Sequence, residues 1–113
     1  MNAEKFTKKS LEVVENCEKL AYEYNNQEID QEHLLLSMVT TDDCLIAKMI
    51  EKMGIDLKGF TAECERAVAY RPKVTGTSDV YMSREFTMTL MDAENESKQM
   101  GDAYISVEHI FLA

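Results

Sequence analysis

Two stretches of this chain are written to one plan: IDQEHLLL at Ile29–Leu36 and ISVEHIFL at Ile105–Leu112. In each, an isoleucine precedes a residue that caps helices well, Asp30 or Ser106, and a Glu-His pair then leads into an apolar run. The offset between the copies is 76 residues, and it extends elsewhere without a gap. It carries Phe6 to Met82, Thr7 to Ser83, Val14 to Leu90, Glu18 to Glu94 and Tyr24 to Met100. Caps fall on caps and core positions on core positions, the mark of an internal repeat whose copies fold alike and pack together. Whatever the first half forms, the second half must form again, against it.

What each half forms is helical. Thr7 caps a first helix with Leu11, Val14, Cys17, Ala21 and Tyr24 on one face, and Asn25-Asn26 ends it, since asparagine tolerates the left-handed conformation of a helix stop. Asp30 caps a second helix whose apolar load, Leu34, Leu35, Leu36, Met38 and Val39, is too wide for one face, so this helix is central. Asp42 or Asp43 is expected to cap a third, with Leu45, Ile46, Met49, Ile50 and Met53 aligned and Gly54 as the stop. Asp56 is expected to cap a fourth, carrying Leu57, Phe60, Cys64, Ala67 and Val68. Periodicity disappears between Tyr70 and Ser83, where RPKVTGTSDVYM holds the only proline and Gly76, and an extended surface connection is expected. Ser83 caps a fifth helix carrying Phe86, Leu90, Ala93, Ser97 and Met100, Gly101 ends it, and Ser106 opens a sixth. No stretch alternates with period two for long enough to predict a strand.

The domain organisation that follows is one unit over 1–113: a first repeat over about 1–70, a connection over about 70–82, and a partial second repeat over about 83–113. A complete second copy needs partners equivalent to helices three and four, so the sequence is expected to be a piece of something longer.

Composition narrows the function. With 12 basic and 21 acidic residues the formal charge is −9, which repels a polyanion, so nucleic acid is not an expected partner. Cys17, Cys44 and Cys64 are odd in number and form no CxxC pair, a pattern expected of reduced, buried thiols in a cytosolic protein. The N-terminus has no apolar run of the kind a signal peptide needs, and the apolar cluster at 34–39 is far short of the roughly 20 residues that span a bilayer. A soluble cytoplasmic protein with no membrane partner is expected.

Enzymatic motifs are lacking. The four glycines, Gly54, Gly59, Gly76 and Gly101, stand in no GxxxxGK[ST] arrangement, so the segment is expected to hydrolyse no ATP and to hold no cofactor of its own. Adjacent Glu-His pairs diverge on a helix, unlike a Glu-x-x-His spacing, so no metal site and no catalytic residue is assigned. Glu32 and Glu108 instead fall in the first turn beside unpaired amides, where negative charge is worth about 0.3–1 kcal/mol. The histidines are expected to pack or bond locally. A sharper alternative is that the paired glutamates receive cationic groups of a client.

FTKKS at 6–10, NNQEIDQEHLLL at 25–36, RPKVTG at 71–76, VYMS at 80–83 and GDAYISVEH at 101–109 together resemble the Clp N-terminal (Clp repeat) domain, most nearly the branch found in ClpB disaggregases. The resemblance covers essentially the whole chain. It implies an all-α fold, a pseudo-twofold repeat of four-helix units with the second repeat truncated here, tethered flexibly to AAA+ ATPase rings. The implied role is a non-enzymatic module that engages unfolded or aggregated polypeptide for a hexameric parent, in which ATP and magnesium belong to the rings. Adaptors or a co-chaperone system acting on the parent are further implied partners. The alternative branch, of the ClpC type, docks adaptors or phosphorylated arginine ahead of proteolysis.

The resemblance also implies a set of substrate-binding residues. Thr7, Asp102 and Glu108 match family positions associated with client handling, and Glu32 and Glu108 match the phosphoarginine-type pair. Leu90, with Met82, Met91 and Met100, is the candidate lining of an apolar groove between the repeats, methionine being suited to promiscuous surfaces. Asp92 and Glu96 bring acidic groups to helix positions where other members can carry apolar ones. Thr7 and Asp102 have structural uses as well, as a cap and as the residue after the Gly101 stop.

Overall fold

The computed structural model describes residues 3–74 and 79–113. Among the described residues six helices make up the fold: α1 (Lys8–Glu23), α2 (Gln31–Thr40), α3 (Leu45–Lys52), α4 (Leu57–Ala69), α5 (Arg84–Gln99) and α6 (Val107–Leu112). A single 3-10 turn, Ala3–Lys5, precedes them. Gly76 of the connection lies outside the described residues.

The local signals act as their chemistry requires. Thr7 Oγ1 accepts from the Ser10 amide at 3.2 Å, and 76 residues on, Ser83 Oγ accepts from the Phe86 amide at 3.0 Å. Asn25 (φ 58°) and Gly101 (φ 73°) take the left-handed conformation that stops α1 and α5, and Gly54 (φ 81°) follows α3. Helix α2 is central: Leu34, Leu36, Met38 and Val39 are all buried, and the helix packs on α1, α3, α4 and α5. Ser37 Oγ donates to the Val13 carbonyl at 2.7 Å, which satisfies a hydroxyl buried where α1 and α2 meet.

Three expectations need correction. The cap of α3 is Cys44, which has no side-chain acceptor in play, while Asp43 adopts φ 57° in the turn before it. Aspartate and asparagine tolerate that left-handed conformation better than most residues do. In α3 only Ile46 and Ile50 are buried, and Leu45, Met49 and Met53 face outward. Two short strands also exist. β1 (Glu28–Ile29) pairs in parallel with β2 (Tyr81–Met82), too briefly for any alternation to show in the sequence.

That pairing reveals how the halves join. Ile29 stands opposite Met82, and a separate parallel bridge sets Phe6 opposite Ile105. The offset of 76 turns one pair into the other with the partners exchanged, as a twofold rotation would. The backbone bonds agree: Thr7 N–H donates to the Ile105 carbonyl at 2.9 Å, and Ser83 N–H to the Ile29 carbonyl at 2.8 Å. Ile29 and Ile105 are both buried in the single core. Each helix-entering segment therefore lies beside the pre-helical segment of the other half.

Candidate functional site

At this junction lies a cavity of about 350 Å³, lined by Lys5, Phe6, Met82, Thr87, Leu90, Met91, Glu94 and Ile105. Phe6 and Met82 are repeat mates, so the cavity straddles the line between the halves. Phe6, Leu90 and Ile105 are buried and form its floor, while Met82 and Met91 remain 42% and 61% exposed on its walls. Lys5 Nζ donates to Glu94 Oε2 at 2.7 Å, setting one ion pair beside an apolar trough. Lys5 holds the Glu94 carboxyl below the usual carboxylate range by that bond and by its charge. Of the expected lining, Leu90, Met82 and Met91 are present. Met100 is not: it is the C-cap of α5, 56% exposed and away from the cavity. Asp92 and Glu96, two residues before and after Glu94, do not line the cavity either.

The two helix entrances share a scaffold and differ in charge. The Asp30 amide donates to His33 Nδ1 at 3.0 Å, and the Ser106 amide to His109 Nδ1 at 2.9 Å. With Nδ1 accepting, the proton of each neutral ring sits on Nε2. His33 Nε2–H then donates to Asn26 Oδ1 at 3.0 Å, and His109 Nε2–H to Asp102 Oδ2 at 2.8 Å. Both histidines thus do what glutamate or glutamine does in a capping box, reaching back from the third helical position to the cap amide. His33 is fully buried, and that burial, followed by the charge of Arg71, lowers its pKa from the ordinary imidazole value.

At the α2 entrance Arg71 closes on three carboxylates. Its guanidinium reaches Glu28 at 2.6 Å, Glu32 at 2.8 Å and Asp30 at 3.1 Å, with only 17% of the side chain exposed. Asn26 Nδ2 donates to the Pro72 carbonyl at 3.1 Å and Val74 N–H to the Asn25 carbonyl at 2.8 Å, so the connection is tied down along 71–74. Asp30 Oδ1 also accepts from Ser83 Oγ at 2.8 Å, which links the cap of α2 to the cap of α5. At the α6 entrance the offset replaces Glu28 by Tyr104 and Asp30 by Ser106. Glu108 is half-buried there, with no cation on it among the described residues.

The five sequence-assigned residues therefore separate into different settings. Leu90 is in the cavity. Thr7 is a helix cap adjoining Phe6 of the cavity floor, its Oγ1 also donating to Ser10 Oγ at 2.9 Å. Glu32 is bound to Arg71, Asp102 accepts from His109, and Glu108 stands at the opposite entrance. Sequence reasoning missed Phe6 and Ile105 as cavity floor, although both are apolar residues directly before a cap. It missed Arg71 entirely, because a lone arginine in a connection carries no local sign of its three partners. Among the described residues no group of three His, Cys, Asp or Glu converges to hold a metal ion, and no helix is long and apolar enough to cross a membrane.

Comparison with known proteins agrees with this geometry. The Clp repeat (R) N-terminal domain model matches residues 5–113. The chaperone protein ClpB of Clostridium tetani is 37% identical over 117 aligned positions, covering all of this chain and 14% of the relative. Among solved structures, the Hsp104 N-terminal domain of Candida albicans superposes with a TM-score of 0.87 at 19% identity, over 96% of this chain and 71% of that one. A ClpV N-domain in complex with a VipB peptide gives a TM-score of 0.77 at 18% identity, over 96% and 66%. The chain thus spans about a seventh of the length of its curated chaperone relative. A family match over nearly every residue, together with the shared all-helical fold, makes this chain a member of the Clp repeat N-terminal domain family.

Proposed function

We propose that this chain is the substrate-engaging N-terminal module of a ClpB-type ATP-dependent disaggregase, and that it takes unfolded or aggregated polypeptide into the cavity at the junction of its halves. The observation that carries the reading is the cavity itself: a buried Phe6–Leu90–Ile105 floor with mobile-chain methionines, Met82 and Met91, on exposed walls. A lining of that kind adapts to many apolar side chains and discriminates weakly among them. The ClpB relative and the ClpV N-domain with its bound peptide support the same direction. Thr7 then positions Phe6 at the cavity floor, and Asp102 and Glu108 form an acidic patch for basic residues flanking an apolar client segment. The repeats are bounded as about 1–70 and 83–113, joined by the 70–82 connection. ATP and magnesium act in the AAA+ rings of a cytoplasmic, hexameric parent, where several tethered copies raise the effective concentration of a weak site. The module itself carries no reaction.

The rival role, docking of phosphoarginine marks in the ClpC manner, calls for both entrance glutamates to be available to a ligand. Here Arg71 already holds Glu32. Titration of the chain with unfolded casein and, separately, with a phosphoarginine peptide divides the two. Casein binding that weakens on Leu90→Asp supports the disaggregase reading. Tight binding of the peptide alone, lost on Glu32→Gln and Glu108→Gln, supports the rival.

A further inference from the structure

The cavity presents two thioethers to solvent beside the Lys5–Glu94 ion pair. Met82 and Met91 are 42% and 61% exposed on its walls, whereas Met38 in the core is 3% exposed. The remaining lining is Phe6, Leu90 and Ile105 with Thr87, Lys5 and Glu94. The three cysteines are buried, and burial pushes the Cys17 thiol up to about 12, so the usual thiolate sensor is not offered at this surface.

We propose that Met82 and Met91 are oxidation sites through which peroxide closes the cavity to apolar ligands, an inference that rests on the client groove described above. In the reaction a sulfur lone pair attacks one peroxide oxygen. The S–O bond forms, the O–O bond breaks, and the departing hydroxide takes the proton carried by the transferred oxygen and leaves as water. Sulfur is oxidised by two electrons and the peroxide is reduced. A methionine sulfoxide reductase supplied with a dithiol reverses the step, releasing the oxygen as water and leaving a disulfide on the reductant. The product replaces an adaptable apolar wall by a strong dipolar acceptor. Among the described lining residues the side-chain donors are the Lys5 ammonium, which Glu94 already holds, and the Thr87 hydroxyl. A ligand's apolar side chain would therefore leave the sulfoxide oxygen desolvated, and the site loses affinity.

The test treats the chain with hydrogen peroxide, maps sulfoxides by peptide mass, and compares each protein with its own unoxidised form by two readouts. One is affinity for unfolded casein. The other is affinity for the neutral apolar dye Nile red, which needs the cavity and no client. We expect sulfoxides at Met82 and Met91 with Met38 spared, and both affinities weakened at least about fivefold, the least that one unsatisfied buried polar atom costs. Methionine sulfoxide reductase should restore them. In Met82→Leu/Met91→Leu the oxidised-to-unoxidised ratio should stay near one whatever its starting affinity, while Met88→Leu/Met100→Leu should remain sensitive. A loss in the Met82→Leu/Met91→Leu protein as large as in the parent, or no oxidation at these two positions, overturns the inference. If unoxidised chain binds no casein, the client reading fails, and the dye still decides the switch: retention after oxidation, or no binding at all, refutes it.

Discussion

Phe6 stands in a parallel bridge opposite Ile105, and the same contact recurs 76 residues away with partners exchanged, Met82 opposite Ile29. This reciprocal exchange explains why one small chain can expose an apolar trough and remain folded. The trough is floored by the joint itself, where Ser10 Oγ donates to the Ile105 carbonyl at 2.6 Å beside the Thr7 amide at 2.9 Å. Backbone polarity is satisfied under the cavity by the other half of the molecule, so side chains above it are left to meet a ligand.

The two entrances, alike in backbone, should respond differently to loss of charge. Removing Arg71 leaves Glu28, Asp30 and Glu32 facing one another beside a nearly buried cap, so Arg71→Ala should lower unfolding free energy by about 1–2 kcal/mol. Glu108→Ala removes only a first-turn charge and should change it by about 0.5 kcal/mol or less. Urea unfolding of both variants gives the comparison, and equal losses would contradict the asymmetry.

His33 makes stability depend on pH on the acid side. Its folded pKa lies below the ordinary 6.5, so between that value and its depressed native value the unfolded chain takes up a proton that the native chain refuses. The neutral-ring contribution is complete above about 6.5 and is lost as pH falls toward the native pKa. Wild type should therefore lose more stability than His33→Gln on passing from pH 7.5 to 5.5, measured by denaturation at each pH.

Cys17 works in the opposite direction. Burial, partly offset by its bond with Ser37, pushes the thiol from 9.0 up to about 12. Its contribution is present below pH 9 and falls as the pH rises toward 12, because the unfolded thiol ionises first. At pH 8 iodoacetamide should leave Cys17 unmodified in the native chain and alkylate it promptly in urea.

Gly101 should resist replacement through backbone conformation alone. At φ 73° it has no heavy atom within 4 Å of an added Cβ, so Gly101→Ala meets no clash and should cost only the left-handed penalty, about 1–2 kcal/mol. Asn25→Gly, at the equivalent stop with φ 58°, should cost nothing or stabilise slightly. Thermal melts of the two variants separate these outcomes.

Much of this was legible from residue types because the responsible physics is local. Thr7, Asp30, Ser83 and Ser106 cap, and Asn25, Gly54 and Gly101 stop, within a few residues of themselves. Capping histidines were half legible: the D-x-x-H and S-x-x-H spacings place an acceptor where a capping box uses glutamate, yet histidine is seldom read in that role. Asp43 misled because aspartate serves caps and left-handed turns equally, and the choice depends on where α3 must begin to bury Ile46 and Ile50. Arg71 and the cavity floor were illegible for a different reason. Glu28, Asp30 and Glu32 lie some forty residues from Arg71, and Phe6 meets Ile105 across almost the whole chain. Only the repeat offset hinted at such meetings, and it pairs equivalent residues, whereas the joint pairs each residue with the partner of its equivalent.

The central claim, that the joint between the repeats is the surface that takes unfolded polypeptide, is tested most directly by nuclear magnetic resonance. Amide and methyl signals of the chain would be followed while unfolded casein is added. The account predicts saturable shifts concentrated at Phe6, Met82, Leu90, Met91 and Ile105. Shifts confined to Glu32, Arg71 and Glu108 at the helix entrances, with the cavity methyls unmoved, would contradict it.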